Sequence, residues 1–460
     1  MTSGTAEIFR LPEVFDAVTG DFIVLPCDLV CELDGLSLLE TWMVQCAGFG
    51  GATGGRVDSR PIPLGAGGEK IGRRGGLGLW YDTKVENGIK GEETDFLATT
   101  PLPKPIVPPA EGSLRSSTEK VVLSMPTDTL NDITDEEKTF PVRQSLLRKH
   151  GRIKMHTTLR DAHVYFLPYW VLQMMKTNET FDSINEDVLG WWAKATWQEG
   201  LTEKLGLRDI LDPPQPRHYH HNNDTSDLTS EVDVISLSTT HCSISQHAAS
   251  KPTTTLASRV HSSPTSAPLQ PTPPLQIPPL LATLQAPTTN NAAKLVRRID
   301  TTPSLLATSL SLALLMPPSP LAHPQKIPSP DSIPSQARVS PSDTLIDANT
   351  TIAPKTTIKE CVIGARCVVG SGARLTRCVL FEGAEVNGDA QLTGCVLGRG
   401  CRVEGGAKRK TVLWDCEVGH GFVVPEGTEA RGEKFVAGHG LEEGLEEEIG
   451  EMEDIPVSEA

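Results

Sequence analysis

One aspartate of the chain stands where a carboxylate could serve phosphate chemistry. The apolar run Phe22 to Leu25 predicts a buried strand, and Asp28 follows it in the loop of LPCDLV. A carboxylate at the carboxyl end of a buried strand is a natural ligand for Mg²⁺ in phosphate chemistry. A loop aspartate is also a common turn residue. Both interpretations of Asp28 stay open, and the turn is favoured because a single aspartate is weak evidence for a metal.

Cysteines of the carboxy-terminal part form a second group with possible chemistry. They recur at intervals that follow a repeat of the chain, whereas zinc sites use close C-x-x-C pairs. We therefore predict a column of small, buried, reduced side chains rather than a metal site. The six residues are Cys361, Cys367, Cys378, Cys395, Cys401 and Cys416.

Two other features could take part in catalysis. His420 is a candidate base for acyl transfer, although a corner or capping role is favoured. The glycine-rich runs Gly48 to Arg60 and Gly72 to Lys84 could cradle phosphate through backbone amides. They follow the Asp28 strand instead of preceding it. A flexible insertion is therefore the favoured interpretation of both runs.

The carboxy-terminal elements follow from a repeat of about seventeen residues. CVIGARC begins at Cys361, CVLFEGA at Cys378 and CVLGRGC at Cys395. Aliphatic residues recur every five or six positions, which neither a helix nor an alternating strand produces. This hexapeptide pattern predicts a parallel β-helix with three short strands per coil. We predict the β-helix from about Ile352 to Val424 and its domain from residue 347 to 436.

Corner and loop positions of this β-helix can also be predicted. Glycines at corners can need a positive φ, and Gly364, Gly370, Gly388 and Gly398 fit such places. Lys408, Arg409 and Lys410 cannot point into the prism, so a loop is predicted to bulge there. The loop is either solvated or in contact with an acidic partner.

The amino-terminal segment, residues 1–210, has the composition of an α/β domain. The strand before Asp28 and the helix GLSLLETWMVQ form one unit of such a fold. Lys120 to Met125 predicts a second strand, and Arg160 to Met175 predicts a strand that runs into a helix. The tryptophans Trp191, Trp192 and Trp197 are expected in the core, with a partner anchor as the alternative.

Composition separates the other segments. More than half of the 36 prolines fall in residues 211–346, which predicts a long disordered linker because proline lacks an amide hydrogen. Residues 441–460 carry nine acids and no base, so residues 437–460 are predicted to be an acidic disordered tail.

The net charge of −16 argues against direct binding to nucleic acid or an anionic membrane. No apolar run is long enough to span a bilayer, so a soluble, intracellular chain is expected.

Several strings identify a family resemblance. GTAEIFRLP, LPCDLV and DAHVYFLPYWVL resemble the sugar-nucleotidyltransferase fold, with Asp28 on the metal-binding aspartate. GRRGGLGLWYDTK, KGEETDFLATTPLP and GGAKRKTVLWDCEVG are similar to the fungal gamma-subunit family of the guanine-nucleotide exchange factor for translation initiation factor 2. The resemblance implies a left-handed β-helix.

The resemblance also implies a function. It implies a non-catalytic cytosolic subunit that pairs with the catalytic epsilon subunit and joins alpha, beta and delta subunits, with initiation factor 2 as the substrate. The nucleotidyltransferase family opens with a GxGxR loop and a Pro-Lys pair that this chain does not contain at the corresponding place. We therefore expect a partial domain that lacks its amino-terminal nucleotide-binding part, and no catalytic, cofactor-binding or metal-binding residues. A mannose-1-phosphate guanylyltransferase and a hexapeptide acyltransferase are the alternatives.

Overall fold

The computed structural model of this chain describes most of two structural regions, an α/β domain and a β-helix. The described residues are 4–46, 74–84, 89, 92–103, 108–110, 112–211, 275, 277–285, 294–317, 319–327, 333–406 and 409–436. The elements below belong to one compact unit formed by residues 1–211 and 277–460. In the described ranges, no helix combines the length and apolar character that a membrane crossing requires.

The helices of the described residues are short, and all of these but one lie in the amino-terminal region. They are α1 (Thr5–Ile8), α2 (Pro12–Ala17), α3 (Gly35–Gln45), α4 (Thr127–Glu137), α5 (Gln144–Lys149), α6 (Tyr169–Thr177), α7 (Gly190–Ala195), α8 (Leu201–Lys204), α9 (Leu207–Leu211) and α10 (Thr302–Leu314). Asp34 caps α3 by accepting hydrogen bonds from the backbone amides of Leu36 and Ser37, as expected for an N-cap aspartate.

Within the described residues, eight strands form the sheets of the α/β domain. They are β1 (Phe22–Val24), β2 (Leu29–Cys31), β3 (Gly76–Asp82), β4 (Asp95–Pro101), β5 (Thr118–Pro126), β6 (Lys154–Leu167), β7 (Leu280–Gln285) and β8 (Val296–Arg298). The main sheet has the order β1-β6-β3-β7-β5-β4, and the long strand β6 also pairs with β4. The pair β3 and β7 is parallel and the others are antiparallel, while β2 pairs separately with β8.

The predicted α/β elements are confirmed with one difference. Strand β5 covers Lys120 to Met125, and β6 followed by α6 covers Arg160 to Met175. Strand β1 forms where predicted, but it is an edge strand that pairs with β6 alone among the described strands. Its residue Ile23 is 49% exposed, so the strand is not buried as the apolar run suggested.

The boundaries of the predicted linker, residues 211–346, are wrong at the carboxy-terminal side. Residues Leu280–Gln285 form β7, which lies between β3 and β5 in the main sheet. Pro278 and Pro279 directly precede the strand, at positions where the backbone does not have to donate a hydrogen bond to a neighbouring strand. Strand β8 and helix α10 follow within the same segment. Residues 212–274 lie outside the described residues.

The run Gly72 to Lys84 is also corrected, because most of it is the central strand β3 instead of a flexible insertion. A Cβ atom on Gly76 would lie 2.5 Å from the indole of Trp192, and one on Gly78 would lie 2.5 Å from the indole of Trp80. These glycines therefore allow large aromatic rings to pack against the strand backbone. Residues 48–60 lie outside the described residues.

The predicted left-handed parallel β-helix is confirmed and extends further toward the amino terminus than predicted. Its first face consists of β9 (Arg338–Val339), β12 (Thr357–Lys359), β15 (Arg374–Thr376), β18 (Gln391–Thr393), β21 (Val412–Trp414) and β24 (Glu429–Arg431). Its second face consists of β10 (Leu345–Ile346), β13 (Val362–Ile363), β16 (Val379–Leu380), β19 (Val396–Leu397), β22 (Glu417–Val418) and β25 (Lys434–Phe435). Its third face consists of β11 (Thr351–Ile352), β14 (Val368–Val369), β17 (Glu385–Val386), β20 (Arg402–Val403) and β23 (Val423–Val424).

The core of the prism is built from inward apolar residues of its strands, most of them aliphatic. Leu375 of β15 pairs with Leu392 of β18, and the pair Ile363 and Leu380 repeats this on the second face. All four side chains are at most 1% exposed. Burying an aliphatic side chain stabilises a fold by ~1.5–3 kcal/mol relative to leaving it exposed. The repeated inward positions therefore make the prism a continuous hydrophobic core.

Glycines contribute to the prism in a different way than predicted. Gly364, Gly370, Gly388 and Gly398 do not have positive φ angles. A Cβ atom on Gly370 would lie 2.5 Å from the backbone nitrogen of Gly388, so these glycines permit close approach between coils. The left-handed corner positions are instead occupied by glycines such as Gly372 and Gly400.

Helix α10 covers the second face of the prism. It packs against β13 and β16, and the outward residues Val379 and Val396 are only 5% and 6% exposed. Thr302 in its first turn donates a hydrogen bond of 2.9 Å to Oε2 of Glu417 on β22. The second face is therefore largely occupied by the chain itself.

The cysteines of the prism are buried as their spacing predicts. All six are free thiols, and each Sγ except that of Cys401 contacts a backbone carbonyl oxygen. Burial raises the pKa of Cys401 to about 12, and burial followed by contact with Cys361 raises that of Cys378 to about 12. No group of three metal-binding side chains occurs in the part of the chain that the structure describes.

This burial leads to a prediction for thiol reactivity. Thiolate is the nucleophile, so a buried thiol with a raised pKa reacts slowly with maleimide. In the native chain we expect rapid labelling of the exposed Cys27 and protection of the six prism cysteines until denaturant is added. Peptide-resolved mass spectrometry after a timed pulse measures each site, with Cys27 as the internal control. Labelling of Cys378 at the rate of Cys27 would contradict the stacked column.

Candidate functional site

The aspartate that could have bound Mg²⁺ is held in an ion pair. Asp28 directly precedes β2, and its backbone carbonyl accepts a hydrogen bond of 2.7 Å from the amide of Ile299. Arg298 on β8 donates from Nε and Nη2 to Oδ2 of Asp28, at 3.2 and 2.9 Å. The pairing of β2 with β8 aligns the two side chains. A guanidinium therefore contacts the carboxylate that a divalent cation would need.

His163 completes the polar surroundings of Arg298. Its Nε2 atom lies 3.2 Å from Nη1 of Arg298. Burial, and next the Arg298 charge, lowers the pKa of His163 to about 4, so the ring is neutral at pH 7. His163 has a φ of 54° within β6, close to an irregularity in the pairing of β6 with β3. The irregularity turns the imidazole toward Arg298, whereas the side chains of a regular strand alternate between the two faces of the sheet.

The main sheet also contains two buried carboxyl groups, those of Asp95 on β4 and Asp161 on β6. The backbone amide of Asp161 donates a hydrogen bond of 2.7 Å to Asp95, and the hydroxyl of Tyr165 donates one of 2.5 Å to Asp161. Asn185 donates to the second oxygen of Asp95 at 3.2 Å. Burial raises the pKa of Asp95, and burial together with the Asp95 charge raises that of Asp161 well above its usual range.

A second ionic network joins the sheet to the segment after β8. Arg160 contacts Oε1 of Glu92 at 3.2 Å and also pairs with Asp300. The hydroxyl of Tyr81 donates to the same Glu92 oxygen at 3.0 Å and accepts from the amide of Arg298 at 3.2 Å. Charged side chains of this region thus bind one another, and the arrangement acts as a structural network that fixes β8 against the sheet.

The Arg298 contact predicts a specific loss of stability. Arg298→Gln removes a charged donor from Asp28, and both side chains are largely buried, at 17% and 22% exposed. Hydrogen bonds to charged groups contribute ~1.5–3 kcal/mol, so we expect a decrease of that size in the free energy of unfolding. Urea denaturation followed by circular dichroism measures it.

A matched control is available for this prediction. Arg208→Gln removes an arginine that pairs with Glu203 at 3.3 Å, but these side chains are 32% and 60% exposed. Exposed pairs contribute ~0–1 kcal/mol, so this variant should unfold at nearly the wild-type urea concentration. Equal stability losses in the two variants would show that Arg298 has no special role.

The β-helix presents surfaces suited to contacts rather than chemistry. Val368 and Val423 on the third face are 41% and 50% exposed, and Trp414 on the first face is 39% exposed. His420 lies exposed at a corner of the prism. Arg409 and Lys410 are exposed in the predicted loop, where the interval between paired strands rises from seventeen residues to twenty-one, as in Leu392 with Leu413. Lys408 lies outside the described residues.

The α/β domain also carries exposed apolar residues. Ile23 and Leu25 lie two residues apart in and after β1, and they are 49% and 69% exposed. Leu36 at the start of α3 is 73% exposed. An edge strand with exposed aliphatic side chains can accept another chain, so this edge is a second candidate contact surface.

The three tryptophans of the sequence cluster differ in their burial. Trp192 is fully buried, and Trp197 is 7% exposed. Trp191 is partly exposed and lies within 5.1 and 5.4 Å of the amines of Lys194 and Lys204. The core interpretation therefore holds for Trp192 and Trp197.

The sequence analysis did not identify Arg298, because this residue lies in the proline-rich segment that was predicted to be a linker. The short run VRRID was the only signal for it.

A family of known domains and a known protein are each similar to part of this chain. Residues 340–430, which form most of the prism, match the family described as the GMPPB C-terminal domain. The translation initiation factor eIF2B subunit gamma of Schizosaccharomyces pombe (strain 972 / ATCC 24843) is 31% identical over 80 residues. That alignment covers 17% of this chain and 18% of the relative, so the chain matches less than a fifth of the relative's length.

Proposed function

We propose that this chain is a non-catalytic subunit of the translation initiation factor 2B complex, which supports GDP/GTP exchange on initiation factor 2. In this proposal it pairs directly with the catalytic epsilon subunit and joins the alpha, beta and delta subunits in the cytosol. The similarity to eIF2B subunit gamma supports the proposal. The GMPPB-type prism is compatible both with this function and with an enzyme, so the prism alone does not decide between them.

The observation that carries the non-catalytic part of the proposal is the ion pair between Asp28 and Arg298. Arg298 directs two donors at one carboxylate oxygen, and the neighbouring His163 has a lowered pKa. A Mg²⁺ ion that approached Asp28 would meet a fixed positive charge and would have to displace the guanidinium. This favours a structural role for Asp28 over phosphoryl-transfer chemistry.

Exposed apolar side chains of the chain support a role in assembly. Val368 and Val423 on the third face, and Ile23 and Leu25 at the edge of the main sheet, are all at least 41% exposed. Exposed apolar groups of this kind are suited to burial against another subunit. The proposed partners are proteins, and the proposal includes no membrane or direct nucleic-acid contact.

Affinity purification tests the proposal. The tagged chain is purified from its own cells, and the co-purifying proteins are quantified by mass spectrometry, with reciprocal purification through a tagged epsilon subunit as the control. We expect the other exchange-factor subunits in a near-constant ratio. Recovery of the chain alone, or only with chaperones, would contradict the proposed assembly role.

A second candidate is a mannose-1-phosphate guanylyltransferase, with which the matched GMPPB-type domain is equally compatible. The purified chain is incubated with GTP, mannose 1-phosphate and Mg²⁺, and nucleotide-sugar formation is measured. Our proposal predicts no product above background. Formation of GDP-mannose that is lost in Asp28→Asn would replace the proposed function with this enzyme.

A further inference from the structure

Charged side chains are distributed unevenly over the faces of the prism. At the third face and the adjoining corner they pair with each other, as in Arg399 with Glu382 at 3.6 Å and Arg402 with Glu385 at 2.7 Å. On the second face Lys434 lies 3.5 Å from Glu417. In the portion of the prism that the structure describes, no ion pair involves a base of the first face. The first face therefore has positive charges that its own side chains do not neutralise.

The first face combines these bases with one exposed aromatic side chain. The exposed bases on its strands and along its edge are Arg338, Lys359, Arg374, Arg377 and Arg431. Trp414 is 39% exposed and pairs in register with Arg431. The acids Glu360, Asp415 and Glu429 lie on or beside the same face, so bases outnumber acids there in a chain whose net charge is −16.

The chain itself contains a segment with complementary chemistry. Residues 441–460 have nine acids and no base, and they begin five residues after Val436, the last described residue. Leu441, Leu445, Ile449 and Met452 recur at three- and four-residue intervals among these acids. The segment therefore offers both negative charge for the bases and apolar groups for an exposed indole.

We propose that residues 441–460 bind across the first face of the prism. The six strands of that face lie ~4.8 Å apart, so the face is about 24 Å long. Twenty residues can extend over about 66–72 Å, since each spans at most ~3.3–3.6 Å. The covalent connection gives the segment a high effective concentration at the face. A bound segment would exclude other acidic ligands from the first face, and high salt would release it.

Carbodiimide cross-linking of the purified full chain tests the proposal. Lys359 is the lysine among the bases named for the first face, and Lys434 on the second face is closer in sequence to the acidic segment. We expect amide links from Lys359 to carboxylates of residues 441–460, and we expect them to decrease with salt. A mixture of ¹⁴N- and ¹⁵N-labelled chains distinguishes links within one chain from links between two copies.

Two double variants with the same charge change make the test specific. Arg374→Glu with Arg431→Glu reverses charge on the first face but keeps Lys359, and loss of the Lys359 links is expected. Arg399→Glu with Arg402→Glu makes the same change away from that face and should retain the links. Melting curves establish that each variant is folded.

Several results would overturn this inference. They are links that concentrate at Lys434, links only between two copies, no links to residues 441–460, or links that survive the first-face reversal. The experiment uses the isolated chain, so its failure is independent of whether the chain assembles with exchange-factor subunits.

Discussion

Replacing Ala282 with proline is expected to unfold the main sheet of the α/β domain. Ala282 is fully buried in β7 and pairs with Gly78 of β3 on one side and Glu119 of β5 on the other. Proline has no amide hydrogen and its ring collides with neighbouring backbone, so it is excluded from central strands. We expect a loss of ~3 kcal/mol or more in the free energy of unfolding, from the missing hydrogen bond and the steric clash.

A matched substitution at the same position separates this effect from loss of side-chain packing. Ala282→Gly keeps the amide and should cost only ~0.5–1 kcal/mol. Chemical denaturation of the full chain, followed by tryptophan fluorescence, compares the two variants. If Ala282→Pro unfolds at the same denaturant concentration as Ala282→Gly, then residues 280–285 are not a central strand and the original linker prediction is restored.

Trp192→Ala is the second substitution with a large expected effect. The indole of Trp192 is fully buried, and its ring centroid lies 4.8 Å from that of Trp170 in an edge-to-face arrangement. Its Nε1 donates a hydrogen bond of 2.8 Å to the carbonyl of Pro278, just before β7. Removing a buried tryptophan typically costs ~3–5 kcal/mol, and here it also releases the contact that holds β7 in place.

Trp191→Ala provides the control for this substitution. Trp191 is adjacent in sequence but partly exposed, and its described ring contacts are with the flexible amines of Lys194 and Lys204. We expect a much smaller change in melting temperature for Trp191→Ala than for Trp192→Ala. Unchanged melting of Trp192→Ala with a loss of subunit assembly would instead identify Trp192 as a partner anchor and contradict its place in the core.

The β-helix could be predicted from sequence because its determinants are local and periodic. Each coil repeats an inward aliphatic residue after about seventeen positions, and pairs such as Val369 with Val386 record that period directly. The coil that contains Arg409 is four residues longer than this period, and the inward aliphatic pattern of the sequence breaks at this place. The corner glycines were assigned the wrong physical reason, because sequence spacing does not distinguish a positive φ from close approach of two coils.

The α/β domain was predicted less completely because its key contacts join distant residues. Strand β7 is a six-residue run next to prolines, and its partners β3 and β5 precede it by more than 150 residues. Asp28 could be identified as a candidate site, but its partner Arg298 is 270 residues away. The glycines of β3 suggested flexibility, whereas they accommodate the indoles of Trp80 and Trp192.

The proposed function combines a structural Asp28 with a role in assembly. The matched GMPPB-type domain leaves the guanylyltransferase alternative to be tested, and the Arg298 contact with Asp28 argues against it. The Asp28→Asn variant separates the two functions, because it removes the charge that a metal would need while keeping an oxygen that can accept a hydrogen bond from Arg298. In the proposed function, assembly uses the exposed apolar surfaces, which lie away from Asp28.

The most direct test of the account is the rate of GDP release from initiation factor 2, measured with the epsilon subunit alone and with this chain added. We expect the chain to increase the rate, and we expect Asp28→Asn to increase it equally at a temperature at which the variant is folded. No stimulation by the wild-type chain, together with GDP-mannose synthesis that depends on Asp28, would contradict the account and identify the chain as an enzyme.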